Sequence, residues 1–172
     1  MRRKIALFLI ISISFVLQTT VFQYFDFANI SPNLLIIIVS SFGLMRGKKE
    51  GAIVGFFCGL LLDIFFGFYL GVYALIYMYV GVLNGFFQKW FYPEDFKLPL
   101  LLIGVSDLLI NFVVYFLMFL FRGRFELGYY VLSVIIPEFV YTIVVSLFVY
   151  WIFLKINQRI EVSEKRSAKK FD

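Results

Sequence analysis

Apolar residues in this chain fall in long runs, and short polar breaks separate one run from the next. Six runs are predicted to be helices, at about positions 5–25, 34–45, 51–66, 72–87, 98–121 and 127–154. A helix of about 20 apolar residues crosses the roughly 30 Å hydrocarbon layer of a bilayer. The pattern therefore predicts an all-α membrane protein with about six transmembrane helices.

Three of the six runs depart from the simple pattern. The first follows Arg2, Arg3 and Lys4 as a signal peptide would, but it is long and no small-residue cleavage site follows, so we expect it to be retained. The second is short, so it either begins near residue 30 or lies tilted or re-entrant among its neighbours. The sixth contains Pro137, which predicts a kink.

Composition excludes an ordinary soluble domain. Of the 172 residues, 62% are hydrophobic and 16% are charged, with a mean hydropathy of +0.93. Soluble domains carry about 25% charged residues. We therefore expect a single integral membrane domain over residues 1–154 and a basic cytoplasmic tail over residues 155–172.

The distribution of basic residues predicts how the chain is oriented, because Lys and Arg stay on the cytoplasmic side of a membrane. If the breaks alternate between faces, the outer face holds only Arg122 and Arg124. The inner face then holds 14 basic residues: Arg2, Arg3, Lys4, Arg46, Lys48, Lys49, Lys89, Lys97, Lys155, Arg159, Lys165, Arg166, Lys169 and Lys170. This split predicts six spans in the bacterial cytoplasmic membrane with both termini cytoplasmic.

Few residues suited to catalysis or metal binding are present. The chain has no histidine, and its single cysteine, Cys58, lies inside an apolar run where a packing role is expected. No phosphate-binding glycine loop, nucleophile elbow or metal-ligand spacing occurs. We therefore predict a protein that is not an enzyme, needs no cofactor and binds no nucleic acid.

Glycines recur at a spacing of four residues, which lets membrane helices approach closely. The spacing permits packing within the chain, which we favour, or an interface with a partner. The candidates for either role are Gly43, Gly47, Gly51, Gly55 and Gly59, with Gly81 and Gly85 further along the chain.

Polar side chains inside the apolar runs form a second set of candidates: Asp63, Asn84, Asp107, Asn111 and Glu138. A carboxylate near the bilayer centre costs at least about 2.5 kcal/mol, and no Lys or Arg lies within these runs to pair with it. Asp63 lies near a helix end, where solvation at the membrane interface would be inexpensive. We expect the others to form a structural or functional polar cluster, and a proton relay stays open as an alternative.

Two basic segments are predicted to face the cytoplasm. Arg46, Lys48, Lys49 and Glu50 form a short loop after the second run. The tail after residue 154 should lie against anionic lipid, because juxtamembrane basic residues each gain about 1 kcal/mol there. Its basic residues are Lys155, Arg159, Lys165, Arg166, Lys169 and Lys170.

Two stretches carry a resemblance to a known family. Residues 31–51 read SPNLLIIIVSSFGLMRGKKEG and residues 55–63 read GFFCGLLLD. In order and spacing they resemble the rod shape-determining protein family MreD, and the likeness covers about residues 31–85. It implies a non-enzymatic scaffold or regulator of the bacterial cell-elongation complex, or elongasome. The resemblance further implies direct binding to MreC and action beside MreB, RodA and a class B transpeptidase in lateral peptidoglycan synthesis.

A second likeness supplies an alternative function. Members of this family also look like the substrate-binding subunits of energy-coupling-factor transporters, which have six helices and a similar length. That likeness implies a membrane subunit that binds a vitamin-type small molecule. Such subunits typically carry an Ala-x-x-x-Ala motif in the first helix, whereas here Ala6 is followed four residues later by Ile10.

Overall fold

The structure is a computed structural model that describes residues 2–21, 31–67, 70–92, 96–122 and 127–168. The described part of the chain contains six main helices and no strand, which confirms the all-α prediction. The helices are α1 (Arg2–Val16), α2 (Leu34–Arg46), α3 (Lys48–Phe66), α4 (Val72–Phe86), α5 (Lys97–Arg122) and α6 (Ile136–Ala168).

Short turns of other pitch extend three of these helices. A π turn at Leu17–Val21 follows α1, and a 3₁₀ turn at Phe87–Trp90 follows α4. A short α-helical turn at Leu127–Tyr130 and a π turn at Val131–Ile135 lead into α6. The irregular turn before α6 therefore lies directly before Pro137, where the sequence predicted a kink.

The core of the protein is the second helix, α2, which is buried along almost its whole length and packs against each of the other five. Its 13 residues span only about 20 Å, too little to cross a bilayer unaided. The first N–H groups of this helix have partners: Leu34 donates to the Pro32 carbonyl at 3.1 Å, and Leu35 and Ile36 donate to Gln18 Oε1 and Asn33 Oδ1, each at 3.2 Å. The helix can therefore begin inside the protein, which agrees with the prediction of a helix buried among its neighbours.

Large apolar side chains also cover the outer surface of the bundle. Phe8 on α1, Leu101 on α5 and Phe148 on α6 are each more than 60% exposed. Soluble proteins rarely expose large contiguous apolar areas. Within the described residues, Lys97–Leu117 and Val131–Ile160 are long and apolar enough to cross a membrane, while Ile5–Thr20 and Leu34–Arg46 are shorter apolar stretches.

The last helix continues past the expected end of the membrane domain. α6 has 33 residues and is about 50 Å long, so it exceeds the thickness of the hydrocarbon layer. Lys155 and Arg159 are exposed on it, and the ammonium of Lys155 lies 3.5 Å from the centroid of the Trp151 ring. Lys165 and Arg166 belong to its final turns, and Lys169 and Lys170 lie outside the described residues.

Candidate functional site

The segment expected to be a loop at residues 46–50 is a corner made by one residue. α2 ends at Arg46, α3 begins at Lys48, and Gly47 between them has φ +92°, a backbone angle that L side chains rarely adopt. Gly43 and Gly51 lie four residues to either side of this corner and face each other: a Cβ built on Gly51 would be 2.8 Å from Gly43 Cα. The two helices therefore fold back on each other with their backbones in contact.

Helices α3 and α4 meet along a seam in which backbone contacts backbone. A Cβ on Gly51 would overlap the carbonyl of Gly81, and a Cβ on Gly55 would overlap the carbonyl of Tyr77. One turn further, a Cβ on Gly59 would overlap the carbonyl of Tyr73. Each step of four residues along α3 matches a step of four in the opposite direction along α4. The seam is thus an antiparallel packing of small residues of the kind that membrane helices use.

Three helices converge where this seam reaches the Gly47 corner. A Cβ on Gly43 of α2 would be 2.7 Å from the carbonyl oxygen of Gly81, which also contacts Gly51. Beside it, a Cβ on Gly85 would overlap the backbone of Lys48. All seven candidate glycines lie in this packing within the chain, and the described structure leaves none of them on an open face.

Two basic residues beside the corner are held by neighbouring helices. Arg46 Nε donates a hydrogen bond of 2.5 Å to Asn157 Oδ1 on α6. The ammonium of Lys48 lies 3.4 Å from the centroid of the Phe86 ring on α4. Lys49 is exposed, and Glu50 is partly exposed in the first turn of α3. These contacts bring basic side chains, the ends of α2 and α4, and the part of α6 around Asn157 together on one side of the bundle.

Asp63 closes the opposite end of the seam. Its carboxylate accepts hydrogen bonds from the backbone N–H groups of Gly71 (3.0 Å), Tyr73 (3.0 Å) and Ala74 (2.8 Å), at the start of α4. The residue is only 3% exposed. The expected solvation at the membrane interface is therefore replaced by capping, because the first N–H groups of a helix lack partners within it and attract a negative charge.

A polar layer that the sequence analysis missed joins α2, α4 and α6. The Tyr77 hydroxyl lies 3.0 Å from Asn33 Nδ2 and 3.1 Å from Asn33 Oδ1, and the Asn33 N–H donates to Thr142 Oγ1 at 3.1 Å. Asn33 stands directly before the apolar run of α2, which is a recognisable cap signal. The partners Tyr77 and Thr142 carry no comparable signal in the sequence.

Asn84 forms a second polar layer that links three helices. Its amide nitrogen donates to Ser106 Oγ on α5 at 2.8 Å, to the Val80 carbonyl at 2.9 Å and to Ser40 Oγ on α2 at 3.4 Å. Its amide oxygen is buried and has no hydrogen-bond partner in the described part of the chain. Ser106 directly precedes Asp107, so this layer adjoins the remaining acidic candidates.

Asp107 and Asn111 lie one turn apart on α5, and Glu138 lies on α6 next to Phe139, whose ring is 3.0 Å from a Cβ built on Gly104 of α5. The Asn111 amide donates to the backbone carbonyl of Asp107 at 3.1 Å. Asp107 is 0% exposed, and neither of its carboxylate oxygens has a hydrogen-bond partner among the described residues. The described residues contain no group of three or more His, Cys, Asp and Glu side chains that could hold a metal ion.

One glycine outside the predicted series also lies at a helix contact. A Cβ on Gly104 of α5 would be 3.0 Å from the Phe139 ring and 3.1 Å from Ile143 Cδ1, both on α6. These neighbours are the ends of side chains, not backbone. Gly104 has no glycine four residues away in the chain, so the spacing argument could not find it.

Comparison with known proteins gives one match. The family model described as rod shape-determining protein MreD matches residues 1–160, which include all the helical segments discussed above except the last turns of α6. No curated protein and no solved structure gives a significant match to the chain.

Proposed function

We propose that this chain, which belongs to the MreD family of rod shape-determining proteins, is a non-enzymatic membrane scaffold of the bacterial cell-elongation complex. Membership implies a role in determining rod shape, and the family is one of membrane proteins, in agreement with the two long apolar helices. The finer proposal is that the chain binds MreC directly. Together with MreB, RodA and a class B transpeptidase, it would then support lateral peptidoglycan synthesis.

The observation that carries this proposal is the extent of the family match, 160 of 172 residues. It reaches from α1 into the last part of α6, so the likeness is not confined to the motif-rich stretch around residues 31–85. The shape-determining role is therefore assigned to the whole helical bundle. A scaffold must also hold its binding faces in fixed positions, and the glycine seam supports this part of the proposal. Backbones in contact cannot slide past one another without separating.

The proposed orientation places six spans in the cytoplasmic membrane with both termini inside. Support comes from the end of the bundle at Gly47, where the Arg46 contact with Asn157 and the Lys48 contact with Phe86 bring three helix ends together. Exposed Lys49 at the start of α3, and exposed Lys155 and Arg159 on either side of Asn157 in α6, add further positive charge there. Such a face suits the anionic lipid of the inner leaflet.

The structure changes how the partner interface should be sought. A bulky residue at Gly55 would overlap the Tyr77 backbone and disrupt the fold itself, so it cannot report on partner contact alone. Outward apolar side chains are better sites, for example Phe8 on α1, Phe57 on α3 and Phe148 on α6. Each can be changed to alanine without touching the seam.

The deciding experiment is affinity purification of the full chain from native membranes in mild detergent, with mass spectrometry of proteins and of bound small molecules. We expect MreC and wall-synthesis enzymes to be recovered, and at least one outward-face variant to lose MreC while its own level stays normal. Recovery of transporter ATPases with a vitamin-like ligand would instead establish the alternative, a substrate-binding transporter subunit. Recovery of neither MreC nor another elongation protein would contradict the scaffold.

A further inference from the structure

Several buried hydrogen-bond acceptors in the described part of the bundle lack a donor. Both carboxylate oxygens of Asp107 and the amide oxygen of Asn84 are buried without a hydrogen-bond partner in the described structure. Asp107 is 0% exposed and Asn84 is 2% exposed. A buried polar group without a partner costs free energy, and an unpaired buried charge costs much more. An occupant that supplies positive charge or a donated proton would remove this cost.

No side chain of the bundle supplies that charge. The chain has no Lys or Arg in residues 34–45, 72–87, 98–121 or 127–154, and no histidine anywhere. Asn111 gives its amide to the Asp107 backbone carbonyl, and the Asp107 carboxylate accepts no hydrogen bond from it. Among the described residues the site therefore has no compensating group of its own.

A second acid, Glu138, lies on the helix that packs beside Asp107. Glu138 directly precedes Phe139 on α6, and the Phe139 ring is 3.0 Å from a Cβ built on Gly104, three residues before Asp107 on α5. The tyrosines of the neighbouring elements, Tyr73 and Tyr77 of α4 and Tyr130 before α6, bring hydroxyl groups and no positive charge. A carboxylate in a buried site next to a second acid favours a bound proton or a counter-charge.

The cluster extends from the core of the bundle towards its surface. Asp107 is the eleventh residue of α5, about 15 Å from the start of that helix, which places it near the middle of an apolar span. Glu138 is partly exposed, whereas Asp107 is fully buried, so the cluster extends from the core to the surface of the bundle. The π turn at Val131–Ile135 lies just before Glu138, and such turns occur often at functional sites.

We propose that Asp107, Glu138 and Asn111 form a buried site for one unit of positive charge, supplied as a proton or as an alkali metal ion. Occupation removes one of the two negative charges of the acid pair and stabilises the contact between α5 and α6. Intramembrane acids that lack a basic partner commonly serve proton or ion binding in membrane proteins. The site is separate from the glycine seam, and its occupation does not depend on a protein partner.

The test is the thermal unfolding temperature, Tm, of the purified full chain in detergent, measured over a grid of pH and salt. Sodium and potassium are varied at constant ionic strength with choline as the replacement cation. If a proton is the occupant, Tm falls as pH rises, because the buried pair then ionises. If an alkali ion is the occupant, adding sodium or potassium at alkaline pH raises Tm, by about 3 °C or more.

Matched variants distinguish a Tm response that comes from this site from one that comes from other acidic residues. Asp107→Asn removes the charge with little change in shape, and we expect it to abolish the pH or salt response of Tm. Glu138→Gln should weaken the response. Asp63→Asn alters a second buried acid that already has backbone partners, so its Tm can fall but the response should persist.

Each outcome decides for or against the site. A response to pH alone assigns the occupant as a proton, and a response to one alkali ion assigns that ion. A wild-type Tm that ignores both pH and salt would overturn the proposal, as would an undiminished response in Asp107→Asn. If Asp107→Asn does not fold, the Tm values of the wild-type chain and of Glu138→Gln over the same pH and salt conditions still test the site. An infrared band of a protonated carboxylic acid that is lost in Glu138→Gln would independently support the proton.

Discussion

Helices α2, α3 and α4 are packed backbone against backbone, whereas α5 and α6 are packed through side chains. In the first region Gly51 and Gly55 contact the carbonyl groups of Gly81 and Tyr77. In the second, Gly104 contacts only the ends of the Phe139 and Ile143 side chains. Side chains can change rotamer to accept a new neighbour, but a backbone in a helix cannot move without disturbing the whole helix.

The polar groups follow the same division. Near the seam, Asp63 is fully used as a cap and Asn33 is paired with Tyr77. Between α5 and α6, the Asp107 carboxylate has no hydrogen-bond partner among the described residues. Helices α2, α3 and α4 therefore form a fixed frame. Helices α5 and α6 can adjust their packing, and the acid proposed to bind a positive charge lies between them.

The largest effect is expected from Gly51→Leu, which places a side chain where three backbones meet. Overpacking typically costs about 1–3 kcal/mol, and more where no neighbour can move. We expect almost no folded protein, measured as the monodisperse fraction by size-exclusion chromatography after detergent extraction. Gly128→Leu is the control, since a Cβ at Gly128 meets no atom within 4 Å. Equal yields from the two variants would show that the backbones at the corner can separate.

A smaller effect is expected from Asp63→Ala, which removes the acceptor of three backbone N–H groups. Loss of a helix cap costs about 0.5–2 kcal/mol, and buried unsatisfied donors add to this. We expect the free energy of unfolding to fall by about 2 kcal/mol or more in a denaturant titration. Asp63→Asn keeps one acceptor oxygen and should recover part of the loss. An unchanged unfolding curve for the alanine variant would mean that water can replace the cap.

The smallest effect is expected from Tyr77→Phe, which removes only the hydroxyl that pairs with Asn33. One hydrogen bond contributes about 1 kcal/mol, so we expect a loss of that size in the same titration. Tyr79→Phe on the same helix is the control, because Tyr79 is 64% exposed. If both variants lose the same stability, the polar layer between α2 and α4 is not a specific link.

The sequence predicts the existence of the helices well and their ends less well. The starts of α2 and α4 agree with the predicted runs, since Asn33 and Gly71 mark them. The prediction fails at the end of α6, where apolar character stops near residue 154 but the helix continues to Ala168. Lys, Glu, Gln and Arg are good helix formers, so the end of the apolar run marks the limit of the membrane span and not of the helix.

The pairing of candidate residues could not be predicted from spacing. A spacing of four residues shows that Gly55 and Gly59 share a face, but not that this face meets Tyr77 and Tyr73. The register between two helices is set by the whole bundle. Likewise, Asp107 and Glu138 come from different helices, so only the folded chain shows that these helices pack side by side at the contact of Gly104 with Phe139.

The most direct test of the difference between the two regions is to make the same small substitution in the seam of α3 with α4 and in the contact of α5 with α6. We would measure the free energy of unfolding of Gly55→Ala and Gly104→Ala in one detergent, because each adds a single methyl group at a helix contact. We expect a loss of at least about 2 kcal/mol for Gly55→Ala, whose methyl meets the Tyr77 backbone. Gly104→Ala should change stability by less than about 1 kcal/mol, because Phe139 and Ile143 can shift and alanine favours the helix. Equal losses, or a larger loss at Gly104, would contradict a rigid frame beside an adjustable pair of helices.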